Sequence, residues 1–249
     1  MEALALGRFS RMMQPFMRRL SAILVLLLSL AGSLRAYEIE NIIVSGGPSL
    51  MQWEKFKRAP HDRWWGNFIR PAVTRITEIK AKQGPDARIT WFVHRPSYER
   101  RLRQGEGPLT TWIERNAEKY GARLIWFSSP DTLVNYINAG QPRDRVKIAN
   151  LEFFVHSNKA CFMFDYSNEI DSGSKSWLHE KELARISRGI FANKALVKSW
   201  GCHTGESMSK KWRRATGVPM IGAVGKTDYA QMYRNNWLPA LSRGGRWAK

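Results

Sequence analysis

The chain is short of acid, of cysteine and of long apolar runs. Of its 249 residues, 21 are Asp or Glu against 40 Lys or Arg, which gives a formal net charge of +19 at pH 7. Such a balance favours acidic surfaces: anionic lipid headgroups, envelope polymers or nucleic acid. The basic residues are nevertheless spread along the chain, with no RNA- or DNA-reading motif and no long basic block. This excludes a dedicated nucleic-acid reader and leaves non-specific attraction to anionic surfaces. Two cysteines, Cys161 and Cys202, are too few for a disulfide-built domain. No internal repeat and no low-complexity block occurs. What is plentiful is apolar residue, 43% of the chain, enough for a substantial core.

The one marked apolar run, Ala22 to Leu30, is too short for a comfortable membrane span. Arg8, Arg11, Arg18 and Arg19 precede it, and Ala31, Gly32, Ser33 and Ala36 follow it. This is the pattern of a secretory signal over residues 1–36, with a retained signal anchor as the rival reading. It predicts an exported protein, periplasmic or extracellular. The segment carries five arginines against Glu2, so +15 of the +19 remains on residues 37–249.

From there, strand and helix patterns alternate. Asn41 to Ser45 reads as a strand closed by Gly46-Gly47-Pro48, a turn that lacks the Gly-Lys-Ser/Thr ending of a phosphate loop. Phe68, Ile69, Ala72, Val73, Ile76 and Ile79 recur at helical spacing and predict a helix ended by Gly84-Pro85. Strands over Arg88 to Val93, Arg123 to Phe127 and Val146 to Val155 are separated by a charged connection from Arg95 to Gly107, a helix from Leu109 to Tyr120 and another opened by Ser129-Pro130-Asp131. Cys161 to Tyr166 reads as a brief strand, Ser167 to Ser176 as a polar loop, and Trp177 to Phe191 as a helix. A strand then runs from Ala195 to Trp200, a helix begins near Gly205, and a strand covers Val218 to Val224. One more helix to about Leu241 is expected, followed by a loose basic tail over residues 242–249. Alternation at these intervals predicts an α/β fold: a three-layer α/β/α sandwich with a mostly parallel sheet, formed as one domain over residues 37–241.

The chemistry concentrates at two strand ends. Cys202 follows Gly201 where the chain turns toward a helix, a junction at which free N–H groups and the helix dipole favour a thiolate. His156 ends the strand Leu151-Glu152-Phe153-Phe154-Val155. Carboxyl ends of neighbouring parallel strands share a crevice, so the two side chains can meet. A disulfide between Cys161 and Cys202 is the competing reading of the same thiol.

The pair "apolar strand, His156-Ser157-Asn158" and "apolar strand, Ser199-Trp200-Gly201-Cys202-His203-Thr204-Gly205, helix, Gly217 to Tyr229" resembles the caspase-haemoglobinase fold. Over residues 146–229 it is similar to CHAT-type, gingipain-like and clostripain-like cysteine peptidases. Where those families carry a glycine beside the histidine, this chain has Val155 and Ser157. The resemblance implies a thiol endopeptidase acting on peptide or protein substrates, with Cys202 as nucleophile and His156 protonating the leaving amine. It further implies that the backbone N–H groups of Cys202 and Ser157 hold the oxyanion, and that no metal or other cofactor is required. By analogy Asp228 receives a basic side chain at the cleaved position; its other reading is a turn or capping aspartate, and Asp165 and Asp171 stand behind it. A catalytically inactive member of the fold, with a structural cysteine pair and an affinity for anionic surfaces or partners, is the alternative.

The remaining histidines, His61, His94 and His179, read as surface residues, and His203 as a surface or lining residue facing away from Cys202. A zinc site from His156, Cys202, His203 and Cys161 lacks the tight ligand pairs of structural zinc motifs. Among the eleven tryptophans, Trp64, Trp65, Trp177, Trp200 and Trp212 could stack on carbohydrate, but most fall at periodic apolar positions and read as core.

Overall fold

A computed structural model describes residues 37–54, 64–171 and 173–249. The signal or anchor expected over residues 1–36, and His61, lie outside the described residues. Among the described residues no helix is long and apolar enough to cross a membrane.

The strands are β1 (Glu38–Ser45), β2 (Ile89–His94), β3 (Arg123–Phe127), β4 (Val146–Phe154), β5 (His156–Ser157), β6 (Cys161–Met163), β7 (Trp177–His179), β8 (Phe191–Ser199), β9 (Met220–Val224), β10 (Thr227–Asp228), β11 (Ala240–Leu241) and β12 (Arg246–Ala248). The helices are α1 (Met51–Glu54), α2 (Arg70–Gln83), α3 (Arg95–Arg103), α4 (Leu109–Lys119), α5 (Pro130–Ala139) and α6 (Met208–Thr216). Seven strands form the central sheet in the order β12-β9-β8-β4-β1-β2-β3. All neighbours pair in parallel except β12, which lies antiparallel on β9. The expected α/β class and mostly parallel sheet are therefore present, with helices on both faces.

The alternation of side chains along each strand divides the core in two. Ile42 and Val44 of β1 pack with Phe92, Leu151, Phe153 and Val197 against Leu133, Val134 and Ile137 of α5 and Met208 and Trp212 of α6. Ile43 packs with Trp91, Val93 and Phe154 on the other face, against Val73, Ile76 and Ile79 of α2 and Ile113 of α4. Each fully buried branched or aromatic side chain of this kind stabilises the fold by about 2 kcal/mol.

Strand order reverses between β1 and β4. The chain moves outward through β2 and β3 on one side of β1, then returns to lay β4, β8 and β9 on the other. In parallel sheets the crevice at such a reversal, outside the carboxyl ends, is where ligands bind. At the opposite end, the buried Glu40 of β1 is occupied structurally: it accepts from Arg143, Tyr136 and Thr90, each at 2.6 Å.

Several local expectations give way to the structure. The charged connection after β2 contains α3, which buries Tyr98 and Arg101; Pro96 occupies its first turn, where a missing N–H costs nothing. Trp177 to Phe191 is not helical: β7 passes into a 3-10 turn (Glu180–Arg185), and Gly189, at φ 79°, turns the chain into β8. Leu183, Ile186 and Ile190 are buried as the sequence requires, without a helix. The segment from Tyr229 to Leu241 holds only a 3-10 turn (Met232–Arg234) and the short β11. The C-terminal residues are not loose, because Arg246, Trp247 and Ala248 pair with Val224, Ala223 and Gly222.

Candidate active site

β4 and β8 are adjacent and in register from Leu151↔Val197 to Phe153↔Ser199, so the segments that carry His156 and Cys202 leave neighbouring carboxyl ends of the sheet. Two contacts lock the ends together. The Ser157 hydroxyl donates to the Cys202 carbonyl at 2.7 Å, and Gly201 lies so close that a Cβ there would stand 2.1 Å from Ser157 Oγ and 2.8 Å from the Val155 carbonyl. Gly201 is therefore required by a close backbone approach.

Helix α6 starts at Met208, six residues beyond Cys202, and its Met208 N–H donates to the Lys159 carbonyl at 3.0 Å. The helix expected to begin near Gly205 therefore starts later and farther from the sulfur: residues 202–207 form turns, and a loop carbonyl takes the first N–H of the helix. What the sulfur does meet is Thr227. The Thr227 N–H donates to Sγ at 3.4 Å, and the Thr227 hydroxyl is also 3.4 Å away. Thr227 was not singled out in the sequence, and no local signal marks it, since the contact spans 25 positions.

The surroundings are aromatic. His156 packs edge-to-face against Phe68, with ring centroids 4.7 Å apart, and against Tyr166 at 4.6 Å. Phe68 also meets Tyr229 at 5.4 Å, and Tyr229 donates its hydroxyl to the Trp200 carbonyl at 3.1 Å. Burial raises the pKa of both Tyr166 and Tyr229, and negative charge on Cys202 raises them further, so both phenols keep their protons beside the sulfur.

Ser157 faces Phe162 across the β5–β6 ladder. Because Asn158 N–H donates to the Cys161 carbonyl at 3.1 Å, the neighbouring Ser157–Phe162 pair falls at a non-hydrogen-bonded step. The Ser157 N–H thus points away from β6, as a donor for substrate would. Beside Cys202, the N–H groups of Gly201 and His203 are committed to Ser199 Oγ and the Gly225 carbonyl.

The other singled-out residues separate from this centre. Cys161 and Cys202 are both free thiols, so the disulfide is not formed. Burial raises the Cys161 pKa, with Glu180 and Glu182 adding to it. Cys161 lines an open groove of about 490 Å³ with Asn158, Lys159, His179, His203 and Glu206. His203, at φ 63°, stands 2.6 Å from Glu206 through Nδ1, and His179 accepts the Lys181 N–H as a cap of the 3-10 turn. Asp228 accepts the Ala230 N–H at 2.6 Å, the geometry of a turn aspartate. Asp165 is buried and fully engaged by Arg100, Ser167, Ser174 and the N–H groups of Lys175 and Ser176, which leaves it no room for a substrate cation. Asp171 holds the Gly173 N–H in an exposed loop. Among the described residues, no three His, Cys, Asp or Glu side chains converge as metal ligands would. Of the tryptophans named above, Trp200 and Trp212 are core, whereas Trp64 and Trp177 are 38% and 47% exposed.

His94 corrects its surface reading. It is 1% exposed, its Nδ1 lies 2.7 Å from Ser97 Oγ, and its buried Nε2 makes no hydrogen bond of good geometry. Phe127 and Phe164, from two other segments, enclose it.

Compared with protein-family models, curated proteins and solved structures, the chain matches none.

Proposed function

We propose that the protein is an exported, caspase-like cysteine endopeptidase acting through a Cys202–His156 dyad. The observation that supports this reading is that adjacent parallel strands carry the two residues at neighbouring carboxyl ends, tied by the Ser157–Cys202 hydrogen bond, with the Cys202 sulfur accepting the Thr227 N–H. Cys202 passes its thiol proton to His156 as the sulfur attacks the scissile carbonyl, the C–N bond breaks as His156 gives that proton to the leaving amine, and water then cleaves the thioester to a carboxylate and free thiol. The outward Ser157 N–H, with that of Cys202, holds the developing oxyanion. Asp228 is the acidic group nearest in sequence to the Thr227 clip on the sulfur, and it selects Arg or Lys at the cleaved position. Export rests on the signal pattern of residues 1–36.

The test uses the full-length chain under mild reductant with fluorogenic peptides carrying Arg, Lys, Asp, Asn or Leu at the cleaved position. Turnover lost in both Cys202→Ala and His156→Ala is expected, with an Arg or Lys preference lost in Asp228→Ala. Intact peptides together with a Cys202 that resists alkylation would favour the non-catalytic reading of the same fold.

A further inference from the structure

The His156 ring is gripped from two sides by residues of unrelated segments. Phe68, 4% exposed, lies just ahead of α2, and Tyr166 follows the β6 strand. One jaw is fastened to the end of β1 and the other to the segment that follows it. The Phe68 carbonyl accepts the Ser45 hydroxyl at 2.8 Å, and that hydroxyl also takes the Trp91 indole N–H at 2.9 Å. Tyr166 accepts the Leu50 N–H through its carbonyl at 3.1 Å, and its backbone bridges to Ser49. The two rings that meet the imidazole are thus each held by backbone hydrogen bonds to residues 45–50.

An imidazole on a free strand end samples several χ1 and χ2 settings, of which one presents a ring nitrogen to the neighbouring sulfur. Holding a reacting group in its productive geometry is worth up to about a hundredfold in rate for an error of about 1 Å. We propose that Phe68 and Tyr166 are positioning residues that clamp the His156 ring toward Cys202. This rests on the dyad reading for its consequence in catalysis, but the clamp itself is a statement about ring geometry. Burial and the Cys202 charge keep the Tyr166 phenol protonated, so no phenolate competes for the imidazole proton.

The experiment reads the clamp in two ways on the full-length chain. The His156 Cε1–H resonance, identified by its loss in His156→Gln, is expected to be displaced from the free-histidine position by the ring currents of both neighbours. It should keep most of that displacement in Tyr166→Phe and lose about half of it in Tyr166→Leu and in Phe68→Leu. In turnover, Tyr166→Leu is expected to lower kcat about ten- to a hundredfold with little change in KM, and Tyr166→Phe to restore most of it. A wild-type resonance at the free-histidine position would overturn the clamp, whatever the variants do. So would a fall in kcat matched by a rise in KM that Phe does not rescue. A displaced resonance with no peptide turnover would keep the clamp and remove the peptidase reading.

Discussion

Burial, with the help of the Arg100 charge and against the opposing pull of Asp165 and the Ser128 backbone, lowers the pKa of His94 to about 4. The folded state therefore holds His94 neutral well below the ordinary histidine value of 6.5, whereas the unfolded chain takes up the proton near 6.5. Stability from this group is complete above pH 6.5, falls as pH drops from 6.5 toward 4, and levels off beneath, with a total of about 3 kcal/mol. Burial pushes the Asp165 carboxyl up, but its Ser167 hydrogen bond and the His94 and Arg100 charges outweigh it and lower its pKa, so its contribution is lost only at more acid pH, below its ordinary value of 3.8. Urea unfolding of wild type and His94→Gln between pH 7 and 4.5 separates them: the wild type should lose about 2 kcal/mol more than the variant, and parallel curves would refute the assignment. None of this was legible locally. His94 stands between an apolar strand and Arg95-Pro96, and only the packing of Phe127 and Phe164 makes it core. Thr227 is invisible for the same reason, whereas His156 and Cys202 could be singled out because each ends its own apolar strand.

At the scale of elements, Glu152 of β4 ties three of them together. Its carboxylate, wholly buried, receives Arg75 of α2 through Nε at 2.9 Å and through a second guanidinium nitrogen at 2.7 Å, and the Trp200 indole N–H at 2.9 Å. Lys198 of β8 lies 3.4 Å from the Trp200 ring centre and 4.2 Å from that of Trp247 in β12. Desolvation there lowers its pKa to about 8, against the opposing pull of Glu152. Glu152→Gln should destabilise the protein by about 2 kcal/mol, because Arg75 loses its buried carboxylate and keeps only the part-exposed Glu78 as an acidic partner. Replacing both residues by methionine should recover most of that loss. Denaturant midpoints of the single and double variants check it, and equal losses in both would show that the ion pair is not coupled.

The elements with local signals were legible in order and type. The strand from Arg123 to Phe127 is bounded as read, and α5 starts where Ser129 accepts the Asp131 N–H. The failures share a cause. The apolar spacing of Leu183, Ile186 and Ile190 reports burial, but whether the backbone coils or extends was decided by the His179–Glu182 capping pair and Gly189. Likewise Trp247 is fixed by β9 and the Lys198 ammonium, neither of which its neighbours in sequence announce.

The whole molecule carries its charge as a distributed excess, and the exposed termini of long Lys and Arg side chains dominate its approach to other surfaces. Binding to anionic vesicles is expected to weaken steeply between about 50 and 200 mM salt and to be unchanged by Cys202→Ala. Salt-independent binding measured by co-sedimentation would point instead to a shaped interface. The reversal of strand order has a consequence of another kind, in the timing of synthesis. Strand β1 is made first among the described strands yet lies inside the sheet, between β4 and β2, so β1, β2 and β3 can assemble while β4 is still on the ribosome. During that interval the far edge of β1, with Ile42, Ile43 and Val44 all destined for burial, has no neighbour. The nascent chain thus passes through a half-sheet with one sticky side, and any pause in translation before Val146 lengthens the time for which a chaperone must cover it.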